Sequence, residues 1–193
     1  EILTSPGDLK YDNFDGSDEK IDAEDRQVIG NIIPRYYFGL SFDFQYHQFD
    51  IAALFQGIAK VDRYLQGQNV YPFATNDRGM APEKWLNRWT GENPSNTIPR
   101  LTIRGDYSWN YAYSSFWVQD GSYVRLKNLQ IGYTFPERWT QRLRIDHIRA
   151  YLNGQNLLTL TKYEGYDPEV TATQTSVGYP HAKTISMGIQ VNF

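Results

Sequence analysis

The 193-residue chain contains no cysteine, which excludes disulfides, thiol catalysis and cysteine-based zinc or iron–sulfur sites. No apolar run approaches the roughly 20 residues that a membrane-spanning helix requires. A formal charge of −3 leaves no electrostatic footprint for nucleic acid. The three histidines, His47, His147 and His181, are scattered without metal-ligand spacing, and neither a Gly-x-Ser-x-Gly elbow nor a phosphate loop occurs. Glu164, Asp167 and Glu169 are the nearest approach to a glycosidase carboxylate pair. Nothing in the sequence sets their separation, and polar residues in surface turns are the stronger reading. No catalytic residue is assigned, and an enzyme is not expected.

What the chain does have is alternation and aromatic side chains. Its last stretch, Thr184 to Phe193, places Ile185, Met187, Ile189, Val191 and Phe193 on one face of a strand, and Thr184, Ser186, Gly188, Gln190 and Asn192 on the other. A period of two ending in an aromatic residue fits the closing strand of an outer-membrane barrel, where one face meets lipid and the other a polar lumen. A soluble β-sandwich shows the same alternation with its faces reversed. Mean hydropathy, −0.59, does not separate the two, because barrel strands hide their membrane signal in alternation. Aromatics make up 16% of the chain, with 15 Tyr, 10 Phe and 5 Trp, and suit interface girdles or ligand platforms.

Residues 1–34 begin with a run of carboxylates, Asp12, Asp15, Asp18, Asp22 and Asp25, with Asn13 and Gly16 among them. Calcium takes several oxygen ligands from a flexible loop. The spacing does not match an EF-hand, so calcium and a solvated acidic loop both stand. Residues 35–58 read as a hairpin: Tyr36, Phe38, Leu40, Phe42, Phe44 and Tyr46 share a face, His47 and Gln48 turn, and Phe49, Ile51, Ala53, Phe55 and Gly57 return. Residues 59–115 form a long loop rich in turn residues and aromatics, with a short helix expected around Ala81 to Trp89. Residues 116–193 hold the last three strands. One has Leu129, Ile131, Tyr133 and Phe135 on a face. The next has Ile148, Ala150, Leu152, Gly154, Leu158 and Leu160, interrupted by Asn156, and Thr184–Phe193 follows.

The connections are unequal. The His47 turn and the stretch from Glu137 to Asp146 lie at one end, and both long loops lie at the other, which is the rule for outer-membrane barrels. The opposite faces carry mostly Gly, Ser, Thr, Asn, Gln and Tyr, with few of the Lys and Glu residues of a water-facing sheet. Trp85, Trp89, Trp109 and Trp117 are candidates for stacking on substrate or seating a partner; packing of the loops against one another is the alternative. Asp120, Arg125 and Lys127 fall at the outer end of a strand, where a salt-bridge network is favoured over substrate contact.

Several blocks resemble the C-terminal part of SusC/RagA-type TonB-dependent transporters. They include Gly7-Asp8-Leu9-Lys10-Tyr11, Lys20-Ile21-Asp22, Val28-Ile29-Gly30-Asn31, Phe49-Asp50-Ile51 with Phe55-Gln56-Gly57, and Glu92-Asn93-Pro94-Ser95-Asn96 followed by Pro99-Arg100-Leu101. Further along come the run from Val118 to Pro136, Asn153-Gly154-Gln155-Asn156-Leu157-Leu158-Thr159, and Tyr163-Glu164-Gly165-Tyr166-Asp167-Pro168-Glu169. The blocks occur in the family's order and cover nearly the whole chain. The acidic loop departs from the family's compact Asp-x-Asn-x-Asp-Gly pattern. The resemblance implies an all-β, antiparallel transmembrane barrel segment: the last five or so strands of a barrel that family members close with 22 strands, with long extracellular loops. The plug, the TonB-binding segment and most strands are expected to lie outside this chain. It further implies TonB-driven import of oligosaccharides or peptides captured by a SusD-like lipoprotein. The setting is the outer membrane of a Gram-negative, Bacteroidetes-like bacterium, in contact with membrane lipid and lipopolysaccharide. A soluble β-sandwich carbohydrate-binding module is the alternative; it requires the apolar faces to point inward, whereas a barrel requires them to point at lipid.

Overall fold

The computed structural model describes residues 4–14, 16, 20–67, 70–73, 80–102, 109–140, 145–170 and 179–193, the side chains of Trp109 and Thr140 excepted. Among the described residues seven strands form: β1 (Tyr36–Tyr46), β2 (Phe49–Ala59), β3 (Asp62–Tyr64), β4 (Val118–Asp120), β5 (Tyr123–Thr134), β6 (His147–Thr161) and β7 (Thr184–Asn192). Helix among the described residues is confined to α1 (Glu137–Thr140) and short 3-10 turns at Glu83–Asn87, Trp109–Tyr111 and Ser115–Trp117. Among the described residues no helix is long and apolar enough to cross a membrane, which says nothing about strands.

By its contacts the chain divides into two compact units. The first, residues 32–62, 120–168 and 179–193, is an antiparallel sheet in the order β1-β2-β5-β6-β7. The β1–β2 turn is only two residues long, and His47 accommodates it by taking a left-handed φ of 54°, a conformation in which histidine is enriched among non-glycine residues. Register then aligns the faces. Phe44 pairs with Ile51, Ile51 with Ile131, Ile131 with Leu152 and Leu152 with Met187, so one apolar face runs unbroken across all five strands.

Two irregularities keep that face continuous. In β5 the register shifts at Lys127: Leu129 and Ile131 share the apolar face with Val124 and Leu126, although the two pairs have opposite parity. A one-residue bulge does this. The facing strand absorbs the shift at Asn156 and Leu157, with Asn156 at a φ of 53°. The interruption that Asn156 makes in the sequence pattern is therefore a bulge, and Leu158 and Leu160 rejoin the apolar face beyond it.

No other described element covers that face. Phe42 is 51% exposed, Leu152 48%, Ile189 72% and Met187 86%. A soluble sheet would bury these side chains, each worth about 1.5–3 kcal/mol on full burial. The eleven residues of β1, at ~3.3 Å per residue and a tilt of ~40°, rise ~28 Å, matching the ~25 Å apolar band of an outer-membrane barrel. The barrel is not closed within this chain: β1 and β7 are the two edges of the sheet.

The second unit, residues 1–31, 63–119 and 169–178, has little regular structure among its described residues and is built around buried aromatic rings. β3 and β4 pair in a separate two-stranded ribbon, lying partly within the stretch that reads as loop.

Candidate functional site

On its polar face the sheet carries a lateral row of side chains. Arg149 of β6 reaches across β5 to Asp50 of β2, its Nε donating to Oδ1 at 2.9 Å and its Nη2 to Oδ2. The strand between them holds Gly132, where a Cβ would lie 2.6 Å from the Arg149 Nε and closer still to Asp50. Only glycine leaves room for the pair. The guanidinium also lies 5.3 Å from the ring centroid of Tyr151, whose own ring occupies the space over Gly188. Charged, paired groups above stripped backbone suit a polar interior and would be costly facing lipid.

Toward the long-loop end of the same face, Arg125 donates from Nε to Thr159 Oγ1 (2.8 Å) and from Nη2 to Asp167 Oδ1 (2.7 Å). Both side chains of the ion pair are nearly inaccessible, at 4% and 3%. The second Asp167 oxygen accepts the His181 backbone N–H (2.9 Å) and faces His181 Nδ1 at 3.1 Å. Asp167 and His181 come from opposite ends of the connection between β6 and β7, so one carboxylate fastens both to β5. This arrangement leaves Asp167 committed to structure rather than available for hydrolysis.

The loop unit has its own centre. Trp117 is 1% exposed, stands edge-on to Tyr71 (4.7 Å) and stacks with Trp85 (6.5 Å) and Tyr111 (6.3 Å). Its indole N–H donates to the Asn110 carbonyl at 3.0 Å. Asn110, fully buried, accepts the Leu9 N–H (2.8 Å) and donates to Asp8 Oδ1 (2.8 Å). Asp8 in turn forms a forked pair with Arg100, 2.6 and 3.1 Å. Burial raises the Asp8 pKa, but the Arg100 guanidinium, the Ser5 N–H and the Asn110 amide together outweigh it and hold the carboxyl below its ordinary value. Gly7 (φ 88°) lets the chain pass under the Trp89 ring, which would collide with any Cβ there. Burial likewise raises the pKa of the Tyr64 phenol, with Tyr71 adding to the effect.

Of the four tryptophans singled out in the sequence, Trp85 (2% exposed) and Trp117 are consumed by packing. Trp89 is half-buried against Gly7, and the Trp109 side chain lies outside the described residues. In the acidic loop, Asp15 and Asp18 lie outside the described residues. Asp12 and Asp22 are exposed and Asp25 is buried. The Asp25 oxygens accept the N–H groups of Phe14 (2.6 Å) and Asp22 (2.9 Å), and Asp22 Oδ1 accepts the Glu24 N–H. These carboxylates close turns. Among the described residues no group of three or more His, Asp or Glu converges to hold a metal. A cleft of about 310 Å³ lies beside this loop, between residues that include Thr4, Lys10, Tyr11 and Ile21. Asn110, Asp8, Asp50 and Arg149 carry the polar architecture; Asp50 and Arg149 fall on the polar side of their strands' alternation, Asn110 and Asp8 have no periodic signal, and Asp8, Arg100 and Asp50 lie within the family-like blocks.

No family model matches the chain. It is 32% identical over 98% of its length to TonB-dependent receptor P3 of Formosa agariphila, and 27% identical over 90% to TonB-dependent receptor SusC of Bacteroides thetaiotaomicron. It spans 19% and 16% of those proteins. Among solved structures, a chain of the RagAB peptide importer in its open-open state superposes with a TM-score of 0.71 at 26% identity, over 91% of this chain and 19% of that one. The closed-closed state gives 0.69 at 25% identity. The names of these proteins denote receptors and importers rather than enzymes. In sequence and fold alike, the chain is similar to about one fifth of the length of TonB-dependent receptors of the SusC/RagA type.

Proposed function

We propose that the five-stranded sheet is part of the wall of an outer-membrane, TonB-dependent importer. In this reading the importer takes up oligosaccharides or peptides delivered by a SusD-like surface lipoprotein. One observation carries the reading: a continuous apolar face left bare across all five strands, backed by a face of paired charges, glycines and amides. That inversion of a soluble sheet is what lipid on one side and a polar lumen on the other select. The similarity to TonB-dependent receptors and to a peptide importer supports the TonB dependence and peptides as one substrate class; the lipoprotein partner and oligosaccharides are what the resemblance to SusC/RagA-type transporters implies. Trp89 and the exposed Tyr113 and Tyr166 offer aromatic surface for such substrates.

The test is a nitroxide at Phe42 in the full-length protein reconstituted in bilayers. Collision with oxygen should be frequent and collision with a water-soluble quencher rare. Low accessibility to both would mean that protein covers the face, and a soluble binding module would replace the transporter.

A further inference from the structure

The connection between β6 and β7 leaves two aromatic rings bare. Tyr166 is 68% exposed and Tyr179 88%, and neither side chain makes a hydrogen bond or a ring contact with another described residue. The backbone that carries them is nevertheless fixed. Just before Tyr166, the buried Tyr163 folds its ring over Gly165, into the space a Cβ would need. Just after it, Asp167 is sealed against Arg125, and its second oxygen holds the His181 backbone two residues beyond Tyr179. Asn156 of β6 donates from Nδ2 to the Ala182 carbonyl at 3.2 Å and fastens the same leg again. The segment thus turns a carboxylate inward and a phenol outward, the reverse of what water selects. A girdle at headgroup level would account for exposed tyrosines on the lipid side of a barrel. Arg125, however, lies on the polar face, in the row Gln56–Arg125–Thr159, and draws the segment over that face instead.

We propose that Tyr166 and Tyr179 are stacking platforms for the sugar rings of a neutral oligosaccharide entering the barrel. The inference rests on the importer reading above and narrows its two substrate classes to one. A sugar ring presents a C–H face that an aromatic ring can cover, and an edge of hydroxyls that match neutral hydrogen-bonding groups. The polar face supplies such groups beside the Arg125 row: Asn128 stands opposite Gln155, and Gln130 opposite Asn153. A peptide brings charged termini, whose strongest partners are charges of opposite sign. Here the guanidinium of Arg125 and the carboxylate of Asp167 are engaged with each other and out of reach of solvent. Rings carried on fixed backbone also lose little freedom when a ligand settles on them.

The experiment offers the full-length protein to an array of neutral glucan, mannan, galactan, xylan and fructan oligosaccharides and to an array of peptides. At least one oligosaccharide should bind. Calorimetry with it should show affinity about tenfold or more weaker in the Y166A/Y179A variant, while Y166F/Y179F, which keeps the rings, retains it. Both side chains are exposed, so truncation removes no packing, and hydrogen exchange in β5 and β6 should be equal in all three proteins. Unchanged affinity in the alanine variant overturns the proposal. So does binding confined to peptides, or binding to neither array. A Phe42 nitroxide in the same protein in bilayers separates the two failures. High oxygen accessibility with unchanged affinity removes the tyrosine platform alone, whereas low accessibility removes the barrel wall, whatever the tyrosines hold.

Discussion

The two units of this chain solve opposite problems with the same residue types. The loop unit puts Trp85, Tyr71 and Trp117 inside, as a water-soluble core does, and buries the Asp8 and Asp25 carboxylates only where hydrogen bonds meet them. The sheet puts Phe42, Leu152 and Ile189 outside and gathers Asp50, Arg149, Arg125 and Asp167 on its other face. Composition is therefore uninformative about either unit; what distinguishes them is where the aromatic and charged groups are sent. The difference teaches that the sheet is held mainly by its hydrogen-bond ladder and cross-strand register, and the loops by a few buried rings and one polar hub.

The contrast can be broken most forcefully at Trp117. Truncation to alanine in the full-length protein should cost about 3–5 kcal/mol within the loop unit. Hydrogen exchange should rise in residues 80–102 and 109–119 and stay slow in β5 and β6. Equal loss of protection in the strands would mean that the loops and the sheet unfold together. A smaller effect is expected at Gly132. Alanine there drives the Arg149 guanidinium off Asp50, and losing a charge-assisted hydrogen bond costs about 1.5–3 kcal/mol. Disruption should centre on β2, β5 and β6, with loop exchange unchanged. The smallest effect is pH-dependent. Because the folded Asp8 carboxyl titrates below its ordinary value, its contribution to stability is complete above the unfolded pKa of about 3.9 and is lost as pH falls through the lower, folded value. Exchange in residues 4–14 and 98–102 should accelerate over that acidic window in the natural protein, and the Asp8→Asn variant should lack the step.

Much of the sheet was legible in the sequence because alternation is a local signal. The strands Tyr36–Tyr46 and Thr184–Asn192 each declare both faces without reference to anything distant. The bulge at Lys127 was not, since a lysine between Leu126 and Asn128 reads as an ordinary polar position, and only pairing with β2 and β6 reveals the extra residue. Asn156 did leave a trace, as a gap in the apolar series. The loops were far less legible. A tryptophan in a segment without period gives no sign of whether its ring is buried, so Trp85 and Trp117 read as surface candidates as readily as core. The Asp8–Arg100 fork joins residues 92 positions apart; each lies in a family-like block, yet nothing local couples them. The 3-10 turn at Glu83–Asn87 is the structured remnant of the helix expected around Ala81 to Trp89.

The Lys127 bulge makes β5 a message with a phase. Residues on either side of it are written in different frames, and the extra residue is the spacer that brings both into agreement. Removing one residue there would shorten the strand by a single position, yet it would rotate everything between Tyr123 and Leu126 by half a turn. Val124 and Leu126 would enter the polar interior, and Arg125 would leave Asp167 for lipid, at about 2–4 kcal/mol for an arginine near the bilayer midplane and less toward the interface. Length, more than identity, is what this strand has to keep.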